Sequence, residues 1–199
     1  MTDAYRFDES STEQAIAYAK IYAGENYSPA METVLKVAFS EKRNLPTFRL
    51  KSSDTILLSG YMKKWVGAYL AGYNNRPSVR TGNCSGTHPD PMAKTTLRAR
   101  ISGLEDNLAD KIVARHSLLM TIENNIGELL EEYLSVKLSP LGWYCCWGST
   151  IDAVDFCKAD GSLLQIKTSD NSENSSSSRV RQGTPIGKWF RRFSRRPGV

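Results

Sequence analysis

Apolar residues recur at three- and four-residue intervals through three stretches of the first half of the chain, which is the period of an amphipathic α-helix. A serine or an aspartate precedes two of these stretches, where it can cap the first turn. The predicted helices run from Ser11 to Ala23, from Pro29 to Lys42 and from Asp54 to Tyr73. Residues 74–92 are rich in helix breakers, so they are predicted to form a long loop. Its arginines, Arg76 and Arg80, either contact phosphate or lie on a solvated surface.

A longer helical pattern covers Ser117 to Leu138 and ends at Ser139, Pro140 and Gly142, which are residues typical of a helix end. Six apolar residues share one side of this helix: Ile122, Ile126, Leu129, Leu130, Tyr133 and Leu134. Three glutamates, Glu128, Glu131 and Glu132, fall away from the centre of that side. Periodicity alone therefore favours a solvated face for these carboxylates.

The pattern then changes to short runs of aromatic and β-branched residues, which predict strands. These runs are Trp143 to Trp147, Ile151 to Cys157 and Ser162 to Thr168, with a turn at Asp160 and Gly161 before the last. We expect a β-meander that packs on the preceding helix. A segment rich in serine and asparagine follows, and the chain ends in a basic stretch that includes Trp189 and Phe190.

With 199 residues, of which 40% are hydrophobic, the chain is long enough for the core of one large domain. No stretch approaches the length of a membrane span, and Met1 to Tyr5 do not begin an export signal, so we expect a soluble cytoplasmic protein. Seven basic residues and no acidic residue lie from position 179 onward. Subtracting these seven from the net charge of +5 leaves −2 for residues 1–178, so an anionic partner would meet the end of the chain.

The four cysteines do not form a disulfide framework, because Cys145 and Cys146 are adjacent and point to opposite faces of a strand. Cys84 and His88 resemble half of a zinc site, but no second pair follows at ligand spacing. We therefore expect no metal bound by sulfur.

Three polar residues of the predicted hairpin carry candidate chemistry. Alternation in Leu163 to Lys167 puts Gln165 and Lys167 on one face, with Leu164 and Ile166 on the core face. Asp155 lies ten residues before Gln165 in the preceding strand, so a hairpin brings it towards both. Two oxygen ligands and a lysine can hold Mg²⁺ and a scissile phosphate, which is what phosphodiester hydrolysis needs. Asp152, on the same predicted strand, is the rival for the acidic ligand.

These residues and those that follow them, Leu-Leu-Gln165-Ile-Lys167-Thr-Ser-Asp-Asn and the basic Arg179-Val-Arg181 and Lys188-Trp-Phe-Arg191, resemble SinI-like type II restriction endonucleases of the PD-(D/E)XK group. The resemblance is specific from Ile122 to Arg192. It implies an α+β fold with a PD-(D/E)XK core, in which helices flank a mixed sheet and a helical region precedes it. Residues 1–116 would form that region, and residues 117–199 the nuclease core and tail, within one compact domain.

The resemblance also implies roles. Asp155 would bind Mg²⁺, Gln165 would stand where the group has Glu or Asp, and Lys167 would be the motif lysine. Glu131 would complete the site, although the helical pattern puts Glu123 nearer the apolar side. DNA contacts would come from Asn174, Ser176, Arg179, Arg181, Lys188, Arg191 and Arg192. The implied partners are duplex DNA with a GG(A/T)CC-like site, a second copy of the chain, and a cognate methyltransferase as genetic partner.

Two other functions remain open at this point. A non-catalytic nucleic-acid-binding module would use the basic tail and leave the hairpin residues as structure. A different PD-(D/E)XK nuclease, from repair or a mobile element, would share the site without palindromic cutting.

Overall fold

The structure is a computed structural model that describes residues 11–48, 57–80, 91–168 and 185–192. Its helices are α1 (Thr12–Ala23), α2 (Pro29–Ser40), α3 (Leu58–Asn74), α4 (Pro91–Arg100) and α5 (Asp106–Leu138). Its strands are β1 (Trp143–Cys145), β2 (Phe156–Lys158), β3 (Leu163–Lys167) and β4 (Ile186–Phe190). The predicted helices are confirmed within these ranges, and the last of them begins earlier than the sequence predicts. Within the described ranges, no helix combines the length and the apolar character needed to cross a membrane.

Local chemistry explains where the helices begin and end. The Ser28 hydroxyl accepts a hydrogen bond from the Met31 N–H at 3.2 Å, and Pro29 occupies the first helical position of α2. At the end of α5 the chain tightens into a 3₁₀ turn and stops at Gly142, whose φ of +78° is left-handed. These ends direct the chain from α5 straight into β1.

The four strands form one mixed sheet in the order β1-β2-β3-β4. The first three are antiparallel neighbours, whereas β4 runs parallel to β3 and places Lys188 beside Gln165. The turn before β3 is closed by the Gly161 N–H, which donates to the Lys158 carbonyl at 3.0 Å. The structure thus confirms an α+β fold with a mixed sheet and an antiparallel meander.

The prediction of a strand from Ile151 to Cys157 is wrong over its first five residues, because β2 begins only at Phe156. Ile151 and Val154 are buried, but they are joined by a turn in which Ala153 has a left-handed φ of +57°. The Asp152 N–H donates to the Asn44 carbonyl at 2.9 Å, so this turn is attached to the segment that follows α2. The apolar side chains of Ile151 and Val154 therefore anchor a turn in the larger of the two apolar clusters, together with residues of the helices.

The sheet separates two apolar clusters, and alternate residues of β2 and β3 belong to different ones. Cys157 and Leu163 pack in the larger cluster, with buried residues of α1, α2 and α3. Phe156 and Ile166 pack in the smaller cluster, with leucines of α5. The larger cluster is tied to the sheet region by the buried Trp65 indole, whose N–H donates to the Thr150 carbonyl at 2.9 Å.

The basic tail contributes a strand that its charge alone does not predict. Ile186 is partly buried against the larger cluster, and the exposed Lys188 and Trp189 follow it in β4. Residues 186–190 of the tail therefore belong to the sheet.

A close approach between α3 and the turn after β1 yields a stability prediction. Gly148 has φ +70°, and a Cβ there would overlap the Ala68 carbonyl oxygen. Gly148→Ala is expected to lower the free energy of unfolding by about 3 kcal/mol, through left-handed strain and overlap together. Urea denaturation followed by circular dichroism measures the loss.

Gly103→Ala is the matched control, because Gly103 has a similar φ of +77° but a Cβ there meets no atom within 4 Å. Strain alone should cost this variant about 1 kcal/mol. Equal losses for the two variants would contradict the close approach at Gly148.

Candidate active site

Asp155 lies immediately before β2 and is held on three sides by backbone groups. Its N–H donates to the Leu164 carbonyl at 3.0 Å, and its carbonyl accepts from the Cys146 N–H at 2.8 Å. Its Oδ2 accepts from the Ile166 N–H at 2.7 Å. Asp155 is therefore fixed beside β3, where its backbone N–H bonds Leu164 and its carboxylate bonds Ile166, the residues on either side of Gln165.

Gln165 is buried, with only 6% of its surface exposed, although the sequence predicts a side chain presented for chemistry. Its Oε1 has no hydrogen-bond partner among the described residues. A buried amide oxygen without a partner costs about 1–3 kcal/mol, so a protein retains one where something else meets it. A cation that prefers oxygen ligands fits this requirement.

Glu131 approaches Asp155 and Lys167 from α5. Burial raises the pKa of its carboxyl to about 7, the negative charge of Asp155 adds to the rise, and the Lys167 ammonium opposes it. These effects place Glu131, Asp155 and Lys167 in one electrostatic group. Two acids close enough to disfavour each other's ionisation form a site that a bound cation would relieve.

The position of Glu131 follows from which side of α5 meets the sheet. Leu130, Leu134 and Leu138 pack against the smaller cluster, and Glu131 lies at the border of that face. The sequence pattern suggested a different core side, because four of its six apolar residues are in fact exposed: Ile122, Ile126, Leu129 and Tyr133. Because the sequence pattern placed the buried side of α5 wrongly, it favoured Glu123, whose side chain is exposed.

The two neighbouring glutamates have structural partners. Glu132 accepts hydrogen bonds from both the N–H and the hydroxyl of Ser78, and Arg76 Nε lies 3.4 Å from its Oε1. Glu128 forms an ion pair with Arg80. Arg76 and Arg80 thus clamp the segment after α3 onto α5, a role that neither expectation for them included. Ser78 was not singled out in the sequence, where a lone serine in a loop gives no signal.

Asp152, the rival acid, lies elsewhere. Its side chain is exposed, and its backbone N–H bonds the Asn44 carbonyl on the helical side. Partial burial raises the pKa of Asp152, and no charged group among the described residues adds to that rise. The geometry favours Asp155 as the acid beside Gln165 and Lys167.

The tail residues divide into two groups. Lys188 is the register partner of Gln165, and the Arg191 N–H donates to the Lys167 carbonyl at 2.9 Å. Lys188, Arg191 and Arg192 are all exposed. The other predicted DNA contacts, Asn174, Ser176, Arg179 and Arg181, lie outside the described residues, as do Cys84 and His88.

A family model described as SinI restriction endonuclease matches residues 52–199, which is well over half of the chain. The chain belongs to this family. The resemblance found in the sequence is thereby confirmed, and it extends beyond Ile122 into the helical region.

Two curated relatives agree with the SinI family assignment. The chain is 46% identical over 115 residues to the type II restriction enzyme SinI of Salmonella infantis, across 55% of this chain and 50% of that enzyme. It is 44% identical over 115 residues to the type II restriction enzyme Eco47I of Escherichia coli, with the same coverage. The chain spans about half the length of the curated relatives it matches.

Within the described part of this SinI family protein, no three residues among His, Cys, Asp and Glu converge. A metal ion at the site would therefore rely on the two carboxylates of Asp155 and Glu131 together with the Gln165 amide. All three supply hard oxygen atoms, which suit Mg²⁺ and do not favour zinc.

The Ile166 N–H leads to a prediction about Asp155. Asp155→Ala leaves this buried donor unpaired and is expected to cost about 1–3 kcal/mol of stability. Asp155→Asn keeps an acceptor oxygen and removes the repulsion with Glu131, so its stability should equal or exceed that of the wild type.

Urea denaturation measures both variants, with Asp152→Ala as the control. That substitution removes an exposed side chain and should change stability by less than about 0.5 kcal/mol. A loss for Asp155→Asn as large as that for Asp155→Ala would show that the bond to Ile166 is not what the carboxylate contributes.

Proposed function

We propose that this chain is a Mg²⁺-dependent type II restriction endonuclease with a PD-(D/E)XK core, which hydrolyses phosphodiester bonds of duplex DNA at a short specific site. The observation that carries the proposal is the buried Gln165 oxygen, which has no partner among the described residues, on the strand that Asp155 bonds through the Ile166 N–H. Glu131 and Lys167 share the electrostatic surroundings of Asp155, and the chain belongs to the SinI family. The two relatives are named type II restriction enzymes, which supports the same reaction.

Each residue then has a distinct task. Asp155 and Gln165 would hold the ion, and Glu131 would add a second negative charge from the helix. When bound, Mg²⁺ neutralises phosphoryl oxygens and makes a coordinated water more acidic. Lys167 would hold the attacking water or the scissile phosphate through its ammonium group. Gln165 carries no charge, so Glu131 is needed to balance a divalent ion.

The exposed cations of β4 support DNA as the substrate. Lys188 in β4 and Arg191 directly after it pair with β3, and the exposed Arg192 follows them; all three would neutralise backbone phosphates. Arg179 and Arg181, with Asn174 and Ser176, would contact DNA from the preceding segment, where arginine and asparagine can bind base edges. The family resemblance suggests a GG(A/T)CC-like sequence, two copies acting together, and a cytoplasmic setting with a cognate methyltransferase.

Cleavage tests this function directly. Purified protein with Mg²⁺ should cut duplex DNA into discrete fragments, and a chelator should stop it, because the proposed ligands are oxygen atoms that hold the ion reversibly. Asp155→Asn and Lys167→Ala should each remove cleavage while DNA binding in a gel shift persists.

Asp152→Asn is the matched control and should cut as the wild type does. If Asp152→Asn did not cut DNA and Asp155→Asn did, the acidic metal ligand would be Asp152 and not Asp155. A non-specific smear would favour a different nuclease of the same group, and tight DNA binding without any cutting would favour a non-catalytic binding module.

Gln165 permits a test that does not depend on cleavage. Gln165→Met keeps nearly the same shape and removes the unpartnered oxygen, so it should raise stability by about 1 kcal/mol while it weakens Mg²⁺ binding. Gln165→Glu adds a negative charge beside the ion and should tighten binding.

Calorimetric titration with Mg²⁺ measures binding, and urea denaturation measures stability. Unchanged affinity in both variants would remove Gln165 from the ligand set.

A further inference from the structure

An apolar stripe runs along one side of α5. This side faces neither the sheet nor the segment after α3 that Arg76 and Arg80 hold against the helix. Its members are Leu119, Ile122, Ile126, Leu129, Tyr133 and Val136, hereafter the α5 stripe. Each is between 36% and 68% exposed. The sheet takes Leu130, Leu134 and Leu138, so the α5 stripe makes no contribution to the described core clusters.

The spacing of the α5 stripe matches a helix partner. Its positions alternate in steps of three and four residues through five consecutive intervals. This is the repeat of a coiled-coil seam, in which each side chain inserts between residues of a facing helix that has the same repeat. A second copy of this chain carries such a helix by necessity, and a twofold interface requires one surface to match itself.

Charge argues against an anionic partner at this surface. Between Leu119 and Val136 the helix has four glutamates and no lysine or arginine. Nucleic acids and acidic lipid surfaces favour basic helices, so neither suits this one. Two of the glutamates, Glu128 and Glu132, are already paired within the chain, and Glu131 lies at the candidate site. The remaining surface suits an apolar partner.

The area is sufficient for a stable pair. A large apolar side chain that is about half exposed has on the order of 100 Å² of solvent-accessible surface. Two facing stripes would therefore remove about 1,200 Å² from water, which reaches the range of specific protein interfaces.

We propose that the α5 stripe is the interface through which two copies of this chain pair. Arg115 continues the same spacing one step before Leu119, so a parallel pair would bring two Arg115 side chains together. The helices therefore pack antiparallel, with Ile126 against Leu129 of the second copy and Ile122 against Tyr133 of the second copy. This inference rests on the proposed function, in which two copies of the chain act together, and it names the surface through which they pair.

Oligomeric state tests the interface without DNA or metal, so its failure is distinct from failure of the proposed nuclease activity. Light scattering after size exclusion should give a dimer at micromolar concentration. Ile126→Ala with Leu129→Ala should raise the dissociation constant by at least about tenfold. Ile126→Glu with Leu129→Glu should give a monomer with unchanged helical circular dichroism.

Ile21→Glu is the control, because Ile21 is 70% exposed on α1 and lies off the stripe. This variant should remain dimeric. A monomeric wild type would overturn the proposal. A dimer that survives both glutamates, or one that Ile21→Glu disrupts equally, would also overturn it.

Cross-linking provides a second measurement that does not weaken the interface by charge. Ile122→Cys and Tyr133→Cys are made separately with Cys84→Ser, and oxidised glutathione is the oxidant. A mixture of the two should form a disulfide-linked dimer on a non-reducing gel, whereas each alone should not. Linkage of each variant with itself would support the same surface in parallel packing. Absence of any linkage would contradict the interface.

Discussion

The packing of three leucines of α5 against the sheet determines the position of almost every other functional group. Leu130, Leu134 and Leu138 bury one face of the helix against β1, β2 and β3. Because residues along a helix advance by about 100° each, this contact turns Glu131 towards Asp155 and Lys167. It turns Glu132 towards Ser78, and it leaves the α5 stripe exposed. A rotation of α5 by one residue would lose all three relationships.

Gln165 is better understood from the charges around it than from a motif. The pKa of Glu131 is already raised by burial and by Asp155. A carboxylate at position 165 would add a third negative charge to this buried group, which would oppose folding in the absence of a cation. An amide supplies an oxygen ligand without that repulsion, at the cost of weaker attraction for the ion. An amide at this position would therefore trade attraction for the proposed ion against stability of the metal-free fold.

The sequence predicts the helices and the meander because their periodicity is strong and local. It also places Asp155, Gln165 and Lys167 in one hairpin, since strand alternation and a turn suffice for that inference. It fails where a buried residue lacks a regular pattern, as at Ile151 and Val154, whose turn is fixed by Asn44 far away in the chain. It fails again on α5, because the sequence pattern alone does not distinguish exposed leucines from buried ones until the surface that the helix packs on is known.

In the proposed function, the strand β4 would join DNA contact to catalysis in a single element. Its backbone pairs with β3, the Arg191 N–H directly after it donates to the Lys167 carbonyl, and Lys188 and Arg191 are exposed. A phosphate drawn to Lys188 or Arg191 would therefore lie beside the strand that carries the candidate metal ligands. Local positive charge also offsets the acidic site, since residues 1–178 carry a net charge of −2 while the tail carries seven positive charges. Attraction of the proposed DNA substrate and its alignment would then depend on the same sheet register.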